Sequence, residues 1–179
     1  MFCHVTIQIS HFGRAVGPGD LVFPSPLSVA SDMTSGRIFV ADADTGCVKV
    51  FDTRGSYVTE FGKDSSTGSS ANTSAMLDRP VSVCCDSLGN TVVCDKEGQR
   101  VLLFSPDGRH LCNLIDFRPA TGSSSKWQAK RQQNRHGKLD PVCVGLSSPG
   151  SRIAVVLNDN SVKTRCFRKL IVCSVKPEL

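Results

Sequence analysis

The sequence predicts an all-β repeat protein, and three observations point there. A proline-led unit runs twice in full and a third time in part, its internal spacing barely changes, and no stretch sustains helical periodicity outside part of 123–138. The clearest copy is Leu77-Asp78-Arg79-Pro80-Val81-Ser82-Val83-Cys84-Cys85-Asp86, then Gly89-Asn90, Val92-Val93-Cys94-Asp95, Arg100-Val101-Leu102-Leu103-Phe104 and Pro106-Asp107-Gly108. An earlier copy reads Pro26-Leu27-Ser28-Val29-Ala30-Ser31-Asp32, Gly36 to Asp42, Val48-Lys49-Val50-Phe51-Asp52 and Glu60-Phe61-Gly62. The later, partial copy holds Leu139-Asp140-Pro141-Val142-Cys143-Val144-Gly145-Leu146, Ile153 to Val156 and Val162-Lys163. From Pro26 to Val48, Pro80 to Val101 and Pro141 to Val162 the chain advances 22, 21 and 21 residues, whereas the steps between prolines are unequal. Rigid units joined by tolerant loops vary in this way.

Taken in order, residues 1–13 read as the closing strand of a preceding unit, because Val5 to Gly13 matches Tyr57 to Gly62. Residues 14–62 form a complete repeat, and 63–76 a serine- and threonine-rich flexible linker. In the repeat at 77–115, apolar β-branched runs at Val81–Asp86 and Thr91–Asp95 flank Ser87-Leu88-Gly89-Asn90, a turn with glycine available for positive φ. Arg100–Phe104 and Arg109–Ile115 flank Ser105-Pro106-Asp107-Gly108, where proline presets φ and glycine closes the reversal. Alternation places Val81, Val83 and Cys85 on one face, turned toward the next unit. Residues 116–138 read as a basic insertion between units. Residues 139–179 form a degenerate repeat and tail, with Val156 where the strand-ending aspartate belongs, Arg165 where phenylalanine belongs, and a third strand opening at Val162. Four antiparallel strands with tight turns make one blade of a β-propeller.

The proline before the first strand, the runs ending in Asp32 or Asp86, the strands ending in Ala41-Asp42 or Cys94-Asp95, and the Val-Phe or Leu-Phe strand that follows resemble NHL repeats. This is the propeller module at the C-terminus of the TRIM-NHL proteins, relatives of the RING-type E3 ubiquitin ligases. The resemblance covers about residues 5 to 167. It implies about three blades of an expected six, hence an incomplete ring whose unpaired edges invite self-association.

Composition restricts function. The chain has 179 residues, 40% hydrophobic, and no apolar run near the roughly 20 residues of a membrane helix. Met1 to Phe12 lacks the features of a signal peptide, so the expectation is a cytoplasmic chain without membrane contact. None of the nine cysteines is spaced as C-x-x-C, which excludes the zinc pattern and favours free, buried thiols over disulfides. Asn72-Thr73-Ser74 is a glycosylation sequon in form. No nucleophile elbow, phosphate loop or H-E-x-x-H occurs, and His4, His11, His110 and His136 form no metal pattern. His11 and His110 read as exposed strand histidines. Asp42 and Asp95 each precede a turn and read as structural carboxylates, Asp95 pairing with Arg100. Some NHL propellers are metal-dependent lyases with histidines in the central channel. The strand starts that would line a channel here carry Leu27, Val81 and Val142, so no catalytic residue, metal or cofactor is expected.

Two functions follow from the resemblance. In the first, the blades receive a protein partner or ubiquitination substrate for a ligase whose RING and B-box domains lie elsewhere. In the second, an electropositive face binds RNA. Of 21 basic and 16 acidic residues, the segment 116–138 holds six basic residues against Asp116, which leaves the remainder balanced. That segment also carries the single tryptophan, a residue able to stack on a base. The candidate contact residues are Arg14, Arg79 and Lys96 at blade ends and Lys126, Trp127, Lys130 and Arg131 in the insertion. A solvated, charged loop is the plainer reading of the insertion, and Arg79 equally suits a pair with Asp78 or with an acid of a neighbouring blade.

Overall fold

A computed structural model describes residues 23–63, 76–118, 139–147, 152–159 and 167–174. Every regular element among them is a strand. The first sheet contains β1 (Pro26–Ser31), β2 (Ile38–Asp42), β3 (Cys47–Phe51) and β4 (Tyr57–Phe61), in that order. The second contains β5 (Pro80–Cys85), β6 (Thr91–Asp95), β7 (Arg100–Phe104) and β8 (His110–Asp116). In the third, β10 (Arg152–Asp159) lies between β9 (Leu139–Leu146) and β11 (Phe167–Ser174). All pairs are antiparallel. The first strands β1, β5 and β9 are neighbours in series, as blades around an axis require. The fold is a partial β-propeller.

Turn chemistry repeats with the strands. Asp32 accepts from the N–H groups of Thr34 and Ser35, Asp52 from Arg54 and Ser56, and Asp86 from Leu88 and Asn90. A short side-chain acceptor mimics a backbone turn at each position and sets the hairpin register.

The core lies between sheets. Facing residues Phe39, Ala41, Val48 and Val50 of the first blade meet Val83, Val93, Leu102 and Phe104 of the second. The Phe61 ring is tilted against Phe104 with centroids 4.7 Å apart, and meets Phe39 edge-on at 6.5 Å. The reverse face of the second blade, through Val92, Cys94 and Val101, meets Val144, Ile153, Val155 and Leu157 of the third. Strands apolar on both faces are what a stacked sheet demands.

Five expectations need correcting. Pro26 pairs with Asp42 but Ser28 with Ala41, and Pro80 with Asp95 but Ser82 with Cys94. Pro141 pairs with Leu157 and Cys143 with Val156. The residue after each proline, Leu27, Val81 or Val142, is therefore an extra residue in a β-bulge, which resets the alternation. Val81 thus packs with Cys84 toward the third blade, while Val83 and Cys85 face the first. The bulge also puts Leu157, not Val156, opposite Pro141 in the place of Asp42 and Asp95. The strand beside β10 starts at Phe167, which pairs with Asp159, so the spacing that pointed to Val162 fails in this blade. Val162 and Arg165 lie outside the described residues, as does the closing strand expected at 5–13. His110 is half-buried, its ring against Phe104 at 5.6 Å and its Nε2 3.1 Å from Asn113 Oδ1, because β8 turns this residue inward. Finally, β8 continues to Asp116, which pairs with Arg100, so the strand includes the residue expected to open the insertion.

Candidate recognition surface

At the end of β2 and β6 an aspartate secures the segment that enters the blade. Asp42 Oδ1 accepts the Ser25 N–H at 3.0 Å, and Oδ2 accepts Lys49 Nζ at 2.7 Å. Asp95 accepts the N–H groups of Asp78 (3.2 Å), Arg79 (2.8 Å) and Gly98 (3.3 Å), with Arg100 Nε at 3.2 Å. Both aspartates are fully buried, and their bases Lys49 and Arg100 nearly so. Burial pushes the Asp42 carboxyl up, but Lys49 and the Ser25 N–H more than offset it and hold the group below its ordinary value. Backbone bonds complete the strap: Ala43 N–H to Ser25 O and Lys96 N–H to Arg79 O, each 2.9 Å. Asp42 and Asp95 are structural, as their place before a turn suggested.

The strap brings two of the candidate contact residues together. Arg79 and Lys96 share one rim, joined through that backbone bond. The Arg79 side chain is 42% exposed and lies 3.7 Å from Asp44 of the preceding blade, the inter-blade pair that was one of its two expected partners. At the end of β8, Arg118 is paired with Asp116. Asp78 and Glu97 are exposed on the same rim. Arg79, Lys96 and Arg118 are thus interleaved with Asp44, Asp78, Glu97 and Asp116. Arg14, Lys126, Trp127, Lys130 and Arg131 lie outside the described residues.

The opposite rim carries what sequence reasoning missed. Met33 (92% exposed) and Leu88 (77% exposed) stand at corresponding first turns, and Arg37 Nη1 donates to Pro106 O of the next blade at 3.0 Å. The visible signal was an apolar residue inside the turns led by Asp32 and Asp86, where polar residues are the rule.

Cys47, Cys84, Cys85, Cys94, Cys112 and Cys143 are free thiols. Burial pushes Cys84 up to about 12 and Cys85 to about 11, and Cys94 higher still. Such thiols stay protonated and unreactive. No cluster of His, Cys, Asp and Glu among the described residues could hold a metal ion. No helix among them is long and apolar enough to cross a membrane.

Stacked antiparallel sheets, two of them four-stranded with strapped rims, define a propeller-type module. An NHL repeat is found at residues 23–51, from Phe23 through β3. Repeats of this kind generally act in protein interactions. Among solved structures, the chain is similar to Kuenenia stuttgartiensis hydrazine synthase, with a TM-score of 0.49 and 13% identity over 87% of this chain and 36% of that one. It is also similar to a luciferin-regenerating enzyme, with a TM-score of 0.49 and 14% identity over 79% of this chain and 41% of that one. The chain therefore spans less than half the length of either structure, and at these identities neither likeness bears on activity. No curated protein matches it significantly.

Proposed function

We propose that the chain is a non-catalytic recognition module that binds a protein partner, acting in the cytoplasm as the substrate-receiving part of an E3 ubiquitin ligase of the TRIM-NHL kind. The observation that carries this reading is the mixed-charge rim, where Arg79 and Lys96 lie among Asp44, Asp78, Glu97 and Asp116. Interleaved signs suit a protein surface of complementary pattern. A polyphosphate backbone instead needs an uncompensated run of cations. Proximity labelling in cells tests the reading, comparing the parent protein with its Arg79→Glu and Lys96→Glu forms. The expected result is loss of one set of labelled, ubiquitinated proteins in both variants while the fold is retained. An unchanged labelled set would overturn it.

The second reading is RNA binding, favoured by the six basic residues and the tryptophan of segment 116–138. In that reading Lys126, Lys130 and Arg131 hold phosphates and Trp127 stacks on a base.

A further inference from the structure

The first strands share one inter-blade device. The Val83 N–H donates to Ser28 Oγ at 3.1 Å, and the Val144 N–H donates to Ser82 Oγ at 3.2 Å. Each accepting serine lies two residues after its proline, and each donor three residues after the proline of the next blade. By the same count, the accepting position of the third blade is Cys143, which is exposed. The donating position of the first blade is Val29, which is 67% exposed although Val83 and Val144 are buried at the corresponding places.

The sheet faces behave in the same way. Val48 and Val50 of β3 face the following blade and are buried. In the third blade the face turned away from the second carries Leu170 (66% exposed) and Val172 (57% exposed), paired with Val156 and Ala154. One end of the arc thus offers the following half of an interface, and the other end the preceding half. The chain builds that interface from these positions twice within itself.

We infer that the third sheet of one copy docks on the first sheet of a second copy, head to tail. Two halves of one interface, borne on opposite ends of the same chain, are matched by another copy of it, continuing the inter-blade packing already present. Such a heterologous contact closes into a ring or grows into a ladder, according to the angle per blade.

Sedimentation velocity of the 179-residue chain over a concentration series tests this. The expected result is mass rising with concentration to a dimer or a ladder. Val29→Arg and Leu170→Glu should each abolish association while circular dichroism stays as in the parent, since both side chains are exposed. Mixing the two variants should restore association, because the mixture pairs an unaltered third sheet with an unaltered first sheet. A parent chain that stays monomeric throughout would overturn the inference, as it would if a segment of the same chain covers these faces. So would association that survives either substitution, or variants that fail to rescue each other.

Discussion

At the residue scale, the turns between second and third strands show how backbone conformation and space are decided separately. Gly46, with φ +63°, precedes β3, and a Cβ there would meet Leu77 O at 2.8 Å. The corresponding residue before β7 is Gln99, the non-glycine at positive φ (+52°) among the described residues. The glycine of this turn falls one place earlier, at Gly98, where a Cβ would collide with the Asp95 carboxylate. A left-handed conformation costs an L-residue about 1–2 kcal/mol, part of which glycine's greater chain entropy cancels. Gln99→Gly should therefore stabilise by roughly 0.5 kcal/mol, whereas Gly98→Ala should destabilise by breaking the Asp95 strap. Urea unfolding checks both, and equal signs for the two would contradict the assignment.

Acid sensitivity also belongs to single residues. The Ser35 hydroxyl and the N–H groups of Thr34 and Ser35 outweigh burial and hold Asp32 below its ordinary value of 3.8. Asp42 lies below it as well. A carboxylate depressed on folding contributes stability above its unfolded value, and that contribution is lost as pH falls through the folded value. Stability should decline below about pH 4. Asp32→Asn should make this acid limb shallower while lowering stability at neutral pH. An acid limb as steep as the parent's would show that Asp32 is not a source of it.

At the scale of the element, the repeated bulge decides which side chains a first strand sends to which neighbour. Val83 is 4% exposed within the core between the first and second blades. Val83→Asp would bury an unpaired carboxylate there, at a cost of several kcal/mol. Val81, displaced by the bulge and half-buried against the third blade, should tolerate the same change with a smaller loss. Thermal unfolding of the two variants measures the difference, and equal losses would mean that the bulge is misplaced. The serine links belong to the same strands. Ser82→Ala leaves the buried Val144 N–H without its acceptor and should cost about 1–3 kcal/mol in the same thermal unfolding experiment.

For the whole molecule, the two core clusters of the described residues lie between sheets, so each blade leans on its neighbours for stability. The charge of the whole is equally uneven, since the excess lies in 116–138 and the rims are mixed. If that segment binds RNA, changing Lys126, Lys130, Arg131 and Arg135 to alanine should weaken binding. The slope of log affinity against log salt should flatten by about 0.7 for each single-strand phosphate that is no longer neutralised. Trp127→Ala should cost about 1–3 kcal/mol more. Titrating the chain with fluorescent single-stranded RNA at several salt concentrations gives both quantities, and an affinity indifferent to salt would remove the RNA reading.

In the first two units, strand number, turn positions and the structural duty of Asp42 and Asp95 were legible in the residues alone. They depend on local chemistry: alternating apolar side chains, an Asp or Gly where a turn needs one, and a proline at each entry. The bulges were not legible, because Leu27, Val81 and Val142 look like ordinary strand residues until the partner strand counts one residue against two. Nor was the third strand of the last blade, since Phe167 is selected by pairing with Asp159 and not by its distance from Pro141. Arg79 beside Asp44 and Ser28 beneath the Val83 N–H join residues of different blades. By itself, then, the sequence determined a repeated all-β unit and its turns. Only the tertiary structure decided which faces meet, because register and inter-blade contact arise from pairing between segments far apart in the chain.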